Sequence, residues 1–195
     1  STGTWMNGQY PQYGHMPFRF DPNTEGKFIV TYIKDGNSQP AAKIGTMDSS
    51  HNITFGNETE IDTLGGDSRS LLEWNPGTPN QFIFSWRRAY YPHMIIGTVT
   101  GTSISMGALY QSNTNQEELH IPRFGLSPAT KFYGFGLQSG KVYGRAFSIS
   151  GTTISTLQAH PGTEIHDNAG NQHYHASLPT RNNSKVVLAM LDGSN

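Results

Sequence analysis

The segment Trp86-Arg87-Arg88-Ala89-Tyr90-Tyr91-Pro92 brings two guanidinium groups and three aromatic rings into one short stretch. Aromatic rings stack on the apolar faces of sugars, and Arg presents a planar fork of donors that suits hydroxyl and carboxylate groups. The pattern predicts a glycan-binding site built from Trp86, Arg87, Arg88, Tyr90 and Tyr91. The alternative is that Pro92 and the tyrosines pack against a neighbouring part of the fold.

A second group of residues could bind a metal ion. Two of its histidines, His173 and His175, are two positions apart, so on a strand they would point to the same face. Imidazole and carboxylate groups are common ligands of divalent metals. This predicts a divalent-metal site at His166, Asp167, His173 and His175 and no other cofactor. The alternative is that these are polar residues of a long exposed loop and an edge strand.

The sequence shows no pattern that points to catalysis. Acidic residues such as Asp62, Asp67 and Glu73 occur singly, and no nucleophile elbow is present. We therefore expect a protein that is not an enzyme. A polysaccharide-active hydrolase or lyase stays open as an alternative, because catalytic residues on a repeat fold can come from several distant repeats.

Three segments fit the acceptor pattern for N-glycosylation, at Asn52, Asn57 and Asn182. About that many matches are expected by chance in a chain rich in Asn, Ser and Thr. They would be used only if the protein is secreted by a eukaryotic cell.

These residues lie on a repeated framework. An aromatic residue or Leu stands seven positions before a Lys or Gln four times along the chain, and the Lys or Gln positions are 54, 50 and 54 residues apart. The four pairs are Phe20 with Lys27, Trp74 with Gln81, Phe124 with Lys131, and Leu178 with Lys185. We therefore divide a single domain, residues 1–195, into a partial blade at 1–12, units one to three at 13–66, 67–116 and 117–170, and a partial unit four at 171–195.

Each complete unit is predicted to contain four short antiparallel strands, A to D. Pairs such as Asp35-Gly36 and Ser139-Gly140 favour a tight hairpin between strands B and C. A Gly/Ser turn, as in Thr100-Gly101-Thr102, then separates strands C and D. Unit two differs, because Arg87 to Pro92 stands where the other units carry a Gly turn.

Strand B is apolar on both of its alternating faces, as in 28–32 and 82–86, which indicates a sheet covered on both sides. Four-stranded sheets that cover one another are the blades of a β-propeller. The sequence thus predicts an all-β, β-propeller-like fold with a repeat of about 50 residues and roughly four visible blades. A β-sandwich or barrel is the second interpretation. Because residues 1–6 resemble a strand D and unit four stops after strand B, the ring either has a shortened closing blade or belongs to a longer array.

Composition limits the classes of partner. The formal net charge is −1 and only 14% of residues are charged, so a nucleic-acid partner is not expected. No apolar run is long enough to span a membrane, and the absence of cysteine excludes disulfides.

The stretch from Gly97 to Gly107 (GTVTGTSISMG), together with Lys185 to Gly193 (KVVLAMLDG), resembles the tandem propeller-like repeats of tail-fibre and other structural proteins of marine and cyanobacterial bacteriophages. This resemblance implies a virion-surface or extracellular module that recognises host glycans or contacts neighbouring subunits, in an oligomer or larger assembly. The alternative is a structural repeat of an extracellular fibre without ligand binding.

Overall fold

A computed structural model of the chain describes residues 18–34, 38–63, 65, 67–88, 91–112, 118–124, 130–139, 141–159, 162–166, 175–179 and 186–190. These residues form strands and turns without a helix, and every strand pairing is antiparallel. The prediction of an all-β fold is therefore confirmed. Within the same ranges, no helix is long and apolar enough to cross a membrane.

The described part of the chain contains seventeen strands. In chain order they are β1 (Phe18–Phe20), β2 (Lys27–Ile33), β3 (Pro40–Met47), β4 (Ile53–Phe55), β5 (Thr59–Glu60), β6 (Asp67–Trp74), β7 (Gln81–Arg88), β8 (Tyr91–Thr100), β9 (Ser103–Met106), β10 (Tyr110–Gln111), β11 (Glu118–Phe124), β12 (Lys131–Gln138), β13 (Lys141–Ser150), β14 (Thr153–Thr156), β15 (Thr163–His166), β16 (His175–Pro179) and β17 (Val186–Met190).

The strands form three sheets of one design, followed by a hairpin. Strands β1 to β5 form the first sheet, β6 to β10 the second and β11 to β15 the third, while β16 pairs with β17. In each sheet the first three strands form a meander, and the last two strands both pair with the third. The strand D of the sequence analysis is thus split into two short pieces along one edge.

The split of strand D has the same local cause in all three sheets. The residue that follows the first piece turns its N–H to a carbonyl in the middle of strand C: Gly56 to Ile44, Gly107 to Ile96 and Leu157 to Ala146. Each of these bonds is 2.8 or 2.9 Å long. The edge strand therefore bends at an equivalent point in every unit before the second piece pairs further along strand C.

The turn between strands A and B is also repeated. In unit one the N–H of Asp21 bonds the carbonyl of Lys27, and in unit two the N–H of Asn75 bonds that of Gln81, both at 2.8 Å. The side chains of Asp21 and Asn75 each accept a second N–H two residues further on, as Asx turns do. These turns fix the register in which strand B follows strand A.

The sheets pack face to face in chain order. The first sheet contributes Ile29, Ala42, Ile44 and Ile61 to one apolar cluster, and the second sheet contributes residues that include Phe82. The other face of the second sheet packs through Ile83, Met94 and Ile96 against the third sheet. Strand B of the second sheet is thus buried on both faces from Gln81 to Trp86, because a sheet lies on each side of it.

Contacts between sheets also involve their first strands. Strand β1 contacts β6, β6 contacts β11, and β11 contacts β16. The described strands do not close a barrel or a ring.

Candidate functional site

The segment with the greatest density of candidate ligand-binding residues is a regular hairpin. Strands β7 and β8 pair without interruption up to Arg88 opposite Tyr91. Arg87 faces Pro92 one step earlier in the ladder. The connection is therefore only two residues long, and its second residue, Tyr90, lies outside the described residues. The unusual residue types of unit two are carried by strand ends rather than by a long loop.

The structure separates the two arginines. Consecutive residues of a strand point to opposite faces of the sheet, so Arg88 shares a face with Trp86 and Tyr91, whereas Arg87 lies on the other face. Arg88 and Tyr91 are half-buried neighbours on one face, next to the first sheet. Arg87 is half-buried on the side of the third sheet. A single ligand group could contact Arg88 and Tyr91 together. It could not contact Arg87 as well, because Arg87 lies on the opposite face of the sheet.

Beneath Arg88 and Tyr91 lies a buried aromatic stack. The Trp86 ring stacks on Phe84, with centroids 5.3 Å apart, and on the ring of His93 at 5.4 Å. Trp86 is only 2% exposed, so its ring offers no free face to a sugar. It belongs to the core between the first and second sheets. Its contribution to the site is to hold the end of the hairpin rigid.

His93 completes the base of the site. Its Nδ1 lies 2.9 Å from the carbonyl oxygen of Tyr91 and donates the N–H of that bond. Burial lowers the pKa of His93, while the hydrogen bond to Tyr91 and the charge of Asp62 oppose the change. The charge of Arg88 acts in the same direction as burial. The imidazole is therefore neutral near pH 7, and it acts as a hydrogen-bonding spacer below the half-buried Arg88 and Tyr91.

The corresponding end of the first sheet carries a charged cluster that the sequence analysis did not identify. Tyr32 stands where unit two has Trp86, and its hydroxyl donates a hydrogen bond to Glu58. Lys34 lies 3.3 Å from Glu58 and 2.6 Å from Glu60, and Lys43 lies 4.0 Å from Glu58. The positions that hold Arg88 and Trp86 in unit two thus hold a self-neutralised network in unit one.

The charges of that network are matched internally. Burial and the hydrogen bond to Glu58 raise the pKa of Tyr32. Burial alone would raise the pKa of Glu58, but the hydrogen bonds from Tyr32 and Lys34 outweigh it and lower that pKa. Tyr32 therefore stays protonated and Glu58 ionised, and the cluster ties strand B to the split edge strand.

The predicted metal ligands are only partly placed. His166 ends β15 opposite Val142, and His175 begins β16 opposite Met190. Asp167 and His173 lie outside the described residues. Among the residues that the structure describes, no group of three or more His, Asp or Glu residues is arranged to hold a metal ion.

Two of the three glycosylation candidates are described. Asn52 is exposed in the turn between β3 and β4, where its N–H and its side-chain amide both bond the carboxylate of Asp48, at 2.8 and 3.0 Å. Asn57 is exposed at the bend of the split edge strand. Asn182 lies outside the described residues.

The chain was compared with protein-family models and with curated proteins, and neither comparison finds a match.

Proposed function

We propose that the chain is a β-propeller-like repeat module at a virion or cell surface, and that the β7–β8 hairpin of unit two binds a host glycan. The stacked sheets act as blades and supply a rigid scaffold. The fold proposal is supported by one sheet design occurring three times and by face-to-face packing in which successive first strands contact each other.

The observation that carries the ligand proposal is the pairing of Arg88 with Tyr91 on one face of a rigid hairpin. Both side chains are half-buried, and both stand above the buried stack of Trp86 and His93. A ring and a guanidinium group held side by side suit a sugar that carries hydroxyl or carboxylate groups, because the ring stacks while the fork donates hydrogen bonds. The rigid base lowers the entropy lost on binding.

The biological setting of this proposal rests on the resemblance of Gly97–Gly107 and Lys185–Gly193 to the repeats of phage tail-fibre proteins. We therefore propose a host glycan as the partner and the extracellular or virion surface as the location. Catalysis and a bound metal form no part of the proposal.

A glycan array tests the ligand proposal. The wild type is compared with an Arg88→Ala/Tyr91→Ala variant and with a matched control, Lys34→Ala/Gln39→Ala, which changes the equivalent strand ends of unit one. We expect the wild type and the control to bind the same glycans and the unit-two variant to lose them. Equal binding by all three folded proteins would place any glycan site elsewhere.

A structural role in an extracellular fibre, without ligand binding, is the second candidate. It is favoured by the large apolar side chains that remain exposed on the first sheet, including Phe20 and Ile53. A failure of every folded sample to bind any glycan would support this role.

A further inference from the structure

The second and third sheets bury a charged side chain where they pack together. Arg145 lies on strand β13, and it is only 6% exposed. Its guanidinium carbon stands 5.4 Å from the centroid of the Phe147 ring, and that ring stacks on Phe132 at 4.9 Å. Both rings belong to the apolar cluster between the two sheets. The guanidinium group is therefore held against the core.

No opposite charge balances this guanidinium group within the described part of the chain. The Nε atom of Arg145 has no hydrogen-bond partner, and no ion pair joins Arg145 to a carboxylate among the described residues. The contact with Phe147 uses the face of the guanidinium plane, whereas the N–H groups point outward within that plane. A buried charge without a partner is costly, and buried donors are normally hydrogen-bonded. The Nε donor is thus available to an acceptor.

Unit one shows which chemical group is missing beside Arg145. Its ladder position is held in unit one by Lys43, which lies 4.0 Å from Glu58. Glu58 directly precedes the second piece of the split edge strand, and the residue that precedes the same piece in unit three is Gly162. A Cβ atom on Gly162 would lie 2.5 Å from Arg145 Cγ, so no side chain fits there. Unit three therefore keeps the cation and lacks the carboxylate.

The same positions are chemically matched in unit two. They are held there by Ile95 and Leu109, which are both aliphatic, so no charge needs a partner. A second difference lies on strand B, where Tyr32 of the unit-one network is replaced by Gly136 in unit three. Neither glycine of unit three carries a group that could bond the guanidinium.

The second sheet presents a further unpartnered polar group to the same contact. Ser85 lies two residues after Ile83 on strand β7, so both point to the face that packs on the third sheet. Ser85 is 1% exposed, and its hydroxyl oxygen has no hydrogen-bond partner. Each of the two sheets therefore buries one polar group, Ser85 or Arg145, that can donate a hydrogen bond to an anion.

We propose that Arg145 binds the carboxylate of a small ligand between the second and third sheets, with Ser85 as a second donor. The ligand supplies the negative charge that Glu58 supplies in unit one. The fork of a guanidinium group matches the two oxygens of a carboxylate, and such charge-assisted bonds are the strong class. The ligand class is a small organic acid or a sugar acid. The site lies on the opposite side of the second sheet from Arg88 and Tyr91, so it does not depend on the proposed glycan site.

Thermal unfolding tests the proposal while sodium acetate replaces sodium fluoride at constant ionic strength. A ligand that binds only the folded chain should raise the melting temperature by about 3 to 6 °C for each tenfold increase in acetate above its dissociation constant. Arg145→Met should abolish this rise, and it should fold because an apolar side chain of similar length replaces a buried charge. The matched control, Lys43→Met, removes the equivalent cation of unit one, which already has Glu58 as its partner, and should respond like the wild type.

Isothermal titration calorimetry measures binding to the folded chain directly, with acetate, glucuronate, chloride and glucose as probes. We expect acetate to bind the wild type, to bind Ser85→Ala about tenfold more weakly and not to bind Arg145→Met. Binding of glucuronate as well as acetate would identify a sugar acid, and binding of acetate alone a smaller acid. Chloride that binds as tightly as acetate would overturn the carboxylate assignment. No binding by the wild type, together with a melting temperature that responds to acetate equally in Arg145→Met, would overturn the proposal and assign the charge of Arg145 to a partner within the chain.

Discussion

The substitution Asp21→Asn tests how much one buried negative charge contributes to stability at the contact between units one and two. Asp21 Oδ2 lies 3.2 Å from Lys27 Nζ, and their side chains are 0% and 9% exposed. The other carboxylate oxygen accepts the N–H of Asn23, a bond that an amide oxygen can keep. The substitution therefore leaves the turn intact and removes only the partner of a buried ammonium group.

The expected loss in the free energy of unfolding follows from the removal of this one partner of Lys27. Removal of one partner of a buried ion pair costs about 3 to 5 kcal/mol, and we expect the lower end, about 3 kcal/mol, because Lys27 keeps its bond to Asn80. For a chain of this length the melting temperature should fall by about 6 to 12 °C. Unit two shows the compensated form, since Asn75 donates to Gln81 at 2.6 Å in the equivalent positions. The double variant Asp21→Asn/Lys27→Gln should therefore lie within about 1 kcal/mol of the wild type.

Urea and thermal unfolding, followed by circular dichroism, measure these differences, with the urea slope checked for constancy across the variants. We expect Asp21→Asn and Lys27→Gln each to lower the free energy of unfolding, and the double variant to recover most of that loss. If the loss in the double variant equals the sum of the two single losses, the ion pair of unit one and the amide pair of unit two are not interchangeable at this buried position.

Three further outcomes are expected. Burial lowers the pKa of His93 in the folded chain, so the unfolded chain binds this proton first as the pH falls. The free energy of unfolding should therefore be constant above the ordinary pKa of 6.5 and decrease below it. A His93→Gln variant whose free energy of unfolding decreases just as steeply with falling pH would contradict the assignment. A methyl group on Gly97 would lie 2.1 Å from the Phe82 ring, so Gly97→Ala should lower the free energy of unfolding by about 1 to 3 kcal/mol. Phe82→Leu should lower it less in the Gly97→Ala background than in the wild type, because the smaller side chain relieves the clash. Additive losses in urea unfolding would count against the clash. Tyr32→Phe removes the hydrogen-bond donor to Glu58 and should lower the free energy of unfolding by about 1 to 2 kcal/mol in the same assay. An unchanged free energy of unfolding would show that this hydrogen bond does not stabilise the fold.

The repeated design could be predicted from the sequence because burial is periodic. Phe28 and Phe82 recur at matched distances from their turns, and apolar residues on both faces of strand B require a cover on each side. Those features are local, so one strand is enough to reveal them. The split of strand D was not predictable, because the bend at Gly56 and Gly107 depends on a hydrogen bond to a different strand.

The candidate site was harder to predict for a related reason. The sequence places Trp86, Arg87 and Arg88 side by side, but strand geometry sends Trp86 into the core and the arginines to opposite faces. The alternation of side chains along a strand predicts that neighbouring residues point to opposite faces. It does not predict which of the two faces packs against another sheet. The cluster of Tyr32 and Glu58 was missed because its members are far apart in sequence and meet only through the pairing of three strands. Acidic residues at the split edge strand are the one signal that could have indicated it.

We propose that the sheets are propeller-like blades that fan out from their first strands. Pulsed spin-label distances test it directly, because labels can be introduced into a chain without cysteine. One pair of labels is placed at equivalent first-strand positions of units one and three, Arg19 and Arg123. A second pair is placed at equivalent outer-strand positions, Thr54 and Ser155. We predict a clearly longer distance for the outer pair. Equal distances would show sheets stacked in parallel and would contradict the propeller-like arrangement.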